Sequence, residues 1–204
     1  SGGEVSEFAV SCPAPETTNG VLRVGMECAY EPYNWTDMDG TSLGAVPISG
    51  EGKEGLYANG YDVQIAQYIA NKLGMKLEIV DTKFDAIIPG VQSGKYDMGM
   101  AGMTVTDERK RSVNFSDSYA TGIQSVIVKE DSPIKSIDDL DGKKIGVQTA
   151  TTGDIYASDD YGEDNVKRFE NGAAAVAALT ANKVDCVIID NEPAKAYVEA
   201  NKGL

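Results

Sequence analysis

Short strand-like runs alternate with helical segments along this chain, and the same order comes round twice. In the first half, residues 21–26 read as a strand. Residues 61–73 read as a helix, with Val63, Ile65, Ala66, Ile69, Ala70 and Leu73 at helical spacing and a stop at Gly74. Residues 76–80 then predict a strand, 84–92 a helix and 97–101 a strand. In the second half, 144–147 and 166–169 read as strands, 153–158 as a helix start and 172–180 as a helix capped by Asn171. A strand over 184–190 and a helix over 192–200 follow, with Pro193 in the first helical turn. Strands alternating with helices predict an α/β fold built on mainly parallel sheets. Two internal echoes make it two lobes. Leu22-Arg23-Val24-Gly25 matches Lys143-Lys144-Ile145-Gly146, and Gly94-Lys95-Tyr96-Asp97 matches Asn182-Lys183-Val184-Asp185. Residues 122–128 read as a lone strand between the halves, and 37–60 as a long polar inserted loop. The predicted organisation is a tail over 1–20, a first lobe over 21–118, and a hinge strand with the second lobe over 119–204. Such a pair of lobes leaves a cleft where the carboxyl ends of parallel strands meet a ligand.

Composition excludes several function classes. The 204 residues hold 18 Lys and Arg against 32 Asp and Glu, a formal net charge of −14, which is repelled by nucleic-acid phosphates and anionic lipid. Histidine is absent, so Ser-His-Asp and Cys-His catalysis and His-ligated metal sites are excluded. The three cysteines, Cys12, Cys28 and Cys186, form no Cys-x-x-Cys, and their odd count leaves at least one free or paired between chains. Cys186, in an apolar run, reads as a small buried hydrophobe. No apolar run reaches the ~20 residues of a membrane span, and no signal-peptide pattern is visible. Gly50-Glu51-Gly52-Lys53-Glu54-Gly55 fits G-x-G-x-x-G but follows no predicted strand and opens no predicted helix, so a dinucleotide reading fails. Asp37-Met38-Asp39-Gly40 lacks the later ligands of a calcium loop, and Asp159, Asp160, Glu163 and Asp164 read as a solvated surface. No cofactor is implied.

The informative segment is 101–116. It leaves a strand, turns through Gly102, Met103 and Thr104, and enters a short helix at Thr106, whose hydroxyl caps the turn holding Arg109. Read together with Leu22-Arg23-Val24-Gly25, Tyr30-Glu31-Pro32-Tyr33-Asn34-Trp35 and Gly60-Tyr61-Asp62-Val63, this segment belongs to a longer pattern. The pattern continues through Phe84-Asp85-Ala86-Ile87-Ile88-Pro89, Gln92-Ser93-Gly94, Glu108-Arg109 and Phe115-Ser116. It closes with Asp139-Leu140-Asp141-Gly142 and Thr149-Ala150-Thr151-Thr152-Gly153. In this order and spacing the chain resembles the bacterial extracellular solute-binding proteins of family 3, which feed amino acids to ABC transporters.

The resemblance implies a periplasmic-binding-protein clamshell that shuts on one free amino acid. Arg109 falls at the family's carboxylate-binding position, where a guanidinium fork gives two parallel bonds and stays charged when desolvated. Thr104, Thr151, Thr152 and Gly153 would support it. Asp190 matches the family's partner for the α-ammonium, with Gly102 and Thr104 beside it; the alternative for Asp190 is a helix cap. Tyr30 and Phe84 match aromatic walls, Trp35 is a further wall or a core residue, and Ala101 and Met103 complete the pocket. Glu27 and Gln148 fall where the ligand's side chain is read, and an acid at Glu27 favours arginine, lysine, ornithine or histidine. Glutamine or methionine is the alternative ligand class. A dehydratase-like enzyme, of the cyclohexadienyl type, and a sensor domain are alternatives of other classes. The implied partners are the amino acid and the permease subunits of an ABC importer, with no nucleic acid. The implied location is outside the cytoplasm, free in the periplasm or lipid-anchored at the cell surface. Family members continue past a segment like 201–204 with a strand crossing back to the first lobe, so that return segment is expected to be missing here.

Overall fold

The computed structural model describes residues 20–204. Apart from Gly20, the expected tail over 1–20 lies outside the described residues, as does Cys12. Strand β1 (Val21–Met26) buries Leu22, Val24 and Met26. Next come β2 (Ala29–Tyr30), β3 (Asn34–Asp37), β4 (Val46–Ser49) and β5 (Tyr57–Asn59). Helix α1 (Tyr61–Leu73) lays Val63, Ala66 and Ala70 on the sheet. It ends at Gly74, whose φ of 66° is the left-handed closing conformation that costs glycine least. Strand β6 (Lys76–Asp81) pairs with β1 in parallel, setting Val24 opposite Ile79. The segment read as one helix over 84–92 divides into a 3-10 turn at Phe84–Ala86 and helix α2 (Ile87–Gln92). Strand β7 (Met98–Gly99) flanks β1, and helix α3 (Asp107–Lys110) follows.

The chain then crosses to a second sheet formed by β8 (Gln124–Ile127), β9 (Ile145–Gln148), β10 (Val166–Phe169) and β11 (Cys186–Asp190). Helices α4 (Thr152–Tyr161), α5 (Gly172–Thr180) and α6 (Asn191–Ala200) complete the second lobe. The Asn171 side chain accepts the Ala174 N–H at 2.9 Å, so the predicted cap of α5 is made.

Both sheets are mixed, and each contains a parallel run of strands. In the first, of order β2-β3-β5-β4-β6-β1-β7, the β4–β6, β6–β1 and β1–β7 pairs are parallel and the others antiparallel. In the second, β10-β9-β11 is parallel and β8 runs antiparallel to β11. Two expectations are corrected here. The 37–60 stretch is not simply an inserted loop: it supplies β4 and β5, and Ile48 and Ala58 are buried in one core with Leu22 and Ile79. Strands of three and four residues between Gly-rich turns carry too little periodicity to announce themselves, and pairing defines them. Nor is the strand within 122–128 alone, since its Gln124 lies in register with Asp190.

Apolar burial holds each lobe. One cluster sits between α1 and the first sheet, and a second joins Ile145, Val147, Leu140 and Cys186. A third cluster crosses the lobes, with Tyr30 and Tyr33 packing among Val176, Leu179 and Ile189. Each large side chain so buried contributes roughly 1.5–3 kcal/mol. Cys28 and Cys186 are free and buried, and burial pushes the Cys186 thiol up to about 12.

Candidate functional site

A small cleft lies between the two sheets, at the carboxyl ends of their strands. Its lining comes from chain segments that leave the carboxyl ends of strands. Glu27 follows β1, Ala101 and Gly102 follow β7, Gln148 ends β9 and Asp190 ends β11. Phe84, at the start of the 3-10 turn after β6, closes one side.

Arg109 reaches the cleft because Thr106 caps α3, with the Arg109 N–H donating to the Thr106 hydroxyl at 3.1 Å. Its guanidinium donates to the carbonyls of Thr104 and Ala150, each at 2.7 Å, and stands 5.5 Å from the Phe84 ring centre. Burial lowers its pKa and Asp190 opposes that shift, but an arginine stays protonated regardless. Carbonyls leave its positive charge uncancelled, which suits an incoming carboxylate.

Asp190 occupies the N-cap position of α6, yet its side chain does not cap that helix. Its two oxygens accept instead from Tyr30 Oη, across the cleft, and from Gln124 Nε2 at 2.6 Å. The cap alternative is thereby excluded by where the carboxylate points. Burial and the Asp190 charge both push the Tyr30 hydroxyl up, so it remains a neutral donor.

Glu27 is 7% exposed. One oxygen accepts from Gln148 Nε2, of the opposite lobe, and the other, Oε1, is buried with no partner. Burial raises its pKa to about 7, against the Gln148 bond that lowers it, with Asp81 and Asp62 adding repulsion.

The start of α4 forms the facing wall. Thr151 is committed to structure: its hydroxyl caps α4 by accepting from Asp154 N–H and donates to the Gln148 carbonyl at 2.8 Å. Thr152 accepts from Gln124 at 3.2 Å. A Cβ on Gly153 would stand 2.8 Å from Gln124 Oε1 and 3.1 Å from the Ile188 carbonyl, so any larger residue would press on both. Thr104 completes the wall beside Arg109.

Trp35 and Met103 stand apart from the lining. Trp35 pairs with Ala29 and Asn59 inside the first sheet, and Met103 packs on the cluster of Phe84, Ile87 and Ala101 behind the wall. Two lining residues escaped the sequence reading, Gln124 and Ile189. Ile189 sits in an apolar run that reads as core, and Gln124 depends on the β8–β11 register, which no local signal carries. Among the described residues no group of three or more Cys, Asp or Glu side chains is arranged to hold a metal ion.

The sequence profile of the bacterial extracellular solute-binding proteins, family 3, matches residues 22–170. A protein named "Probable histidine-binding protein" from Campylobacter jejuni is 30% identical over 97% of this chain and 74% of its own length. The "Arginine-binding extracellular protein ArtP" of Bacillus subtilis is 34% identical over 81% of this chain and 65% of its own, so this chain spans under two thirds of that relative. Among solved structures, truncated ArgBP from T. maritima in its arginine-bound form superposes with a TM-score of 0.77 at 36% identity, covering 90% of this chain and 80% of that one. An ancestral arginine-binding protein bound to glutamine gives 0.77 at 39% identity, covering 91% and 76%.

Proposed function

The chain belongs to the bacterial extracellular solute-binding proteins, family 3, and from that premise we propose that its cleft captures a free L-amino acid with a cationic side chain, arginine foremost. Arg109 receives the α-carboxylate, with the Gly102–Thr104 turn and the start of α4 beside it. Asp190, oriented by Tyr30 and Gln124, receives the α-ammonium. Phe84 and Tyr30 flank the ligand's stem. The observation that carries the cationic reading is Glu27: a buried carboxylate with one oxygen unpartnered is costly alone and is relieved by a cation. The names of the relatives agree, since they include arginine- and histidine-binding proteins.

A second reading has its own support. Glu27 titrating near 7 is partly protonated at neutral pH, and with Gln148 beside it the same end of the cleft then suits a neutral amide such as glutamine. In either reading the protein works outside the cytoplasm and hands its ligand to the membrane subunits of an ABC importer. The residues in the cleft bind and enclose, and the proposed role includes no turnover.

A thermal-shift and calorimetry panel of the free amino acids separates the readings. A ligand at ~100 times its Kd adds about 2.7 kcal/mol, on the order of 5–10 °C at this size. Arginine, lysine, ornithine or histidine should raise the melting temperature, and Arg109→Ala should weaken arginine at least ~30-fold by leaving a buried carboxylate unmatched. A shift with glutamine alone replaces the first reading by the second. Conversion of prephenate-like acids by the purified protein would overturn the binding role.

A further inference from the structure

Ala150 stands just before α4 with a φ of 64°, in the left-handed region that residues with a Cβ rarely adopt. Its carbonyl accepts from Arg109 Nη2 at 2.7 Å, across the cleft from the turn that carries Arg109. The other arm of the guanidinium, Nη1, donates to the Thr104 carbonyl at 2.7 Å. With one arm on each side of the cleft, the plane of the fork follows from where these two oxygens stand. Thr104 lies five residues before Arg109 and is tied to it locally. The Ala150 carbonyl has no such tether, and its place depends on how residue 150 is held.

Asp154 holds it. This carboxylate, in the first turn of α4, is 5% exposed. Its Oδ2 accepts the Ala150 N–H at 2.9 Å. Arg168, on the edge strand β10, donates its Nε to Oδ1 at 2.8 Å and to Oδ2 at 2.9 Å, and the Ser158 hydroxyl donates to Oδ1 at 3.2 Å. The buried charge is therefore neutralised and both oxygens are aimed. Neither Asp154 nor Arg168 lines the cleft. Helix α4 already has its cap in Thr151, so starting that helix does not require Asp154 to reach back past the cap to Ala150.

Resting on the reading of Arg109 as the receiver of the ligand's carboxylate, we infer that Asp154, itself held by Arg168, is a positioning residue that pins Ala150 and thereby orients Arg109. Each step of the line Arg168–Asp154–Ala150–Arg109 is a hydrogen bond or the backbone of one residue. Without the pin, residue 150 relaxes toward the negative φ that alanine favours, its carbonyl swings off Arg109, and the fork is held by one arm only.

Asp154→Ala removes the acceptor of the Ala150 N–H and leaves the Thr151 cap in place. Calorimetry should show arginine bound about tenfold more weakly, the scale of one lost hydrogen bond to a charged group. In an Arg109→Ala background the same substitution should cost no more than about twofold, because its route to the ligand is gone. A role confined to stabilising α4 predicts the full loss in both backgrounds, and that result overturns the inference. Ser158→Ala takes a donor from the same carboxylate but spares the bond to Ala150, so arginine affinity should stay within about twofold. Arg168→Met keeps the test open should Asp154→Ala fold poorly. It should weaken arginine about threefold, again only with Arg109 present, and a loss that persists without Arg109 overturns the inference. Nitrogen-15 spectra of the arginine side chains in the ligand-free protein read the orientation directly. The Arg109 guanidinium should rotate slowly about its Cζ–N bonds in the wild type and faster in Asp154→Ala; unchanged rotation overturns the inference even where affinity falls. If the wild type binds no amino acid, the carboxylate reading fails, while these spectra still judge the link from Asp154.

Discussion

Glu27 sets the residue scale. Its folded pKa of about 7 lies above the ordinary 4.5 because burial disfavours the charged form. With the folded value raised, the ligand-free protein binds this proton more tightly than the unfolded chain does. Stability from this group is therefore greatest below about 4.5 and falls as pH rises toward 7, by on the order of 3 kcal/mol. A cationic ligand needs the ionised form, so its affinity runs the opposite way. Arginine binding should weaken by up to tenfold per pH unit below about 7, and the dependence should vanish in Glu27→Gln. Calorimetry between about pH 5 and 8 on both proteins gives the answer, and a flat wild-type profile would remove Glu27 from ligand selection. Arg109 shows the complementary principle: its charge does not titrate, and the two carbonyls that hold it only aim it.

Local capping rules account for the elements that border the cleft. Thr106, Thr151 and Asn171 each accept an N–H from the first turn of the helix they start, at 3.1, 3.2 and 2.9 Å. The first two therefore fix the geometry of Arg109 and of the α4 wall. Asn171 lies away from the cleft lining, so Asn171→Ala should cost about 1 kcal/mol, a melting shift of roughly 2–4 °C, with arginine affinity unchanged. Loss of affinity in that variant would mean that α5 carries part of the site. The loop before α4 is held more tightly than its sequence suggests. Ala150 has a φ of 64°, its N–H donates to Asp154 at 2.9 Å, and Arg168 binds both Asp154 oxygens at 2.8 and 2.9 Å. A left-handed alanine costs on the order of 1–2 kcal/mol; here it directs the Ala150 carbonyl at Arg109. Caps and helix periods were legible in the sequence because they are local. The β4 and β5 strands were not, because their evidence is a partner strand.

For the whole molecule, the two lobes are cross-linked at the candidate site itself. Tyr30 meets Asp190, Gln148 meets Glu27 and Arg109 meets Ala150, while Lys83 and Glu170 pair at 3.5 Å nearby. The residues proposed to hold the ligand are thus the ones that join the lobes, and on that proposal binding and closure act on one equilibrium. The net charge of −14 adds a long-range term. A ligand of net charge +1 is drawn toward the protein and a zwitterion is not. Stopped-flow association rates for arginine should therefore fall several-fold from low to ~0.5 M salt, where the screening length is only a few Å, while those for glutamine stay level. Equal salt dependence for both would place the steering elsewhere than in net charge.

From the sequence alone came the α/β class, the two similar halves, the exclusion of histidine chemistry and the candidate pair Arg109 and Asp190. Each rests on local pattern, on composition or on the order of motifs along the chain. Only the tertiary structure decided that Asp190 turns from its helix toward Tyr30 and Gln124, that Trp35 and Met103 stand apart from the lining, and that Asp62 pairs with Tyr119. Those facts depend on strand register and on contacts between residues far apart in the chain. Residue 124 meets 190, 27 meets 148 and 62 meets 119. No periodicity within a window of the chain records such pairings, because burial and hydrogen-bond satisfaction are settled only when distant segments pack together.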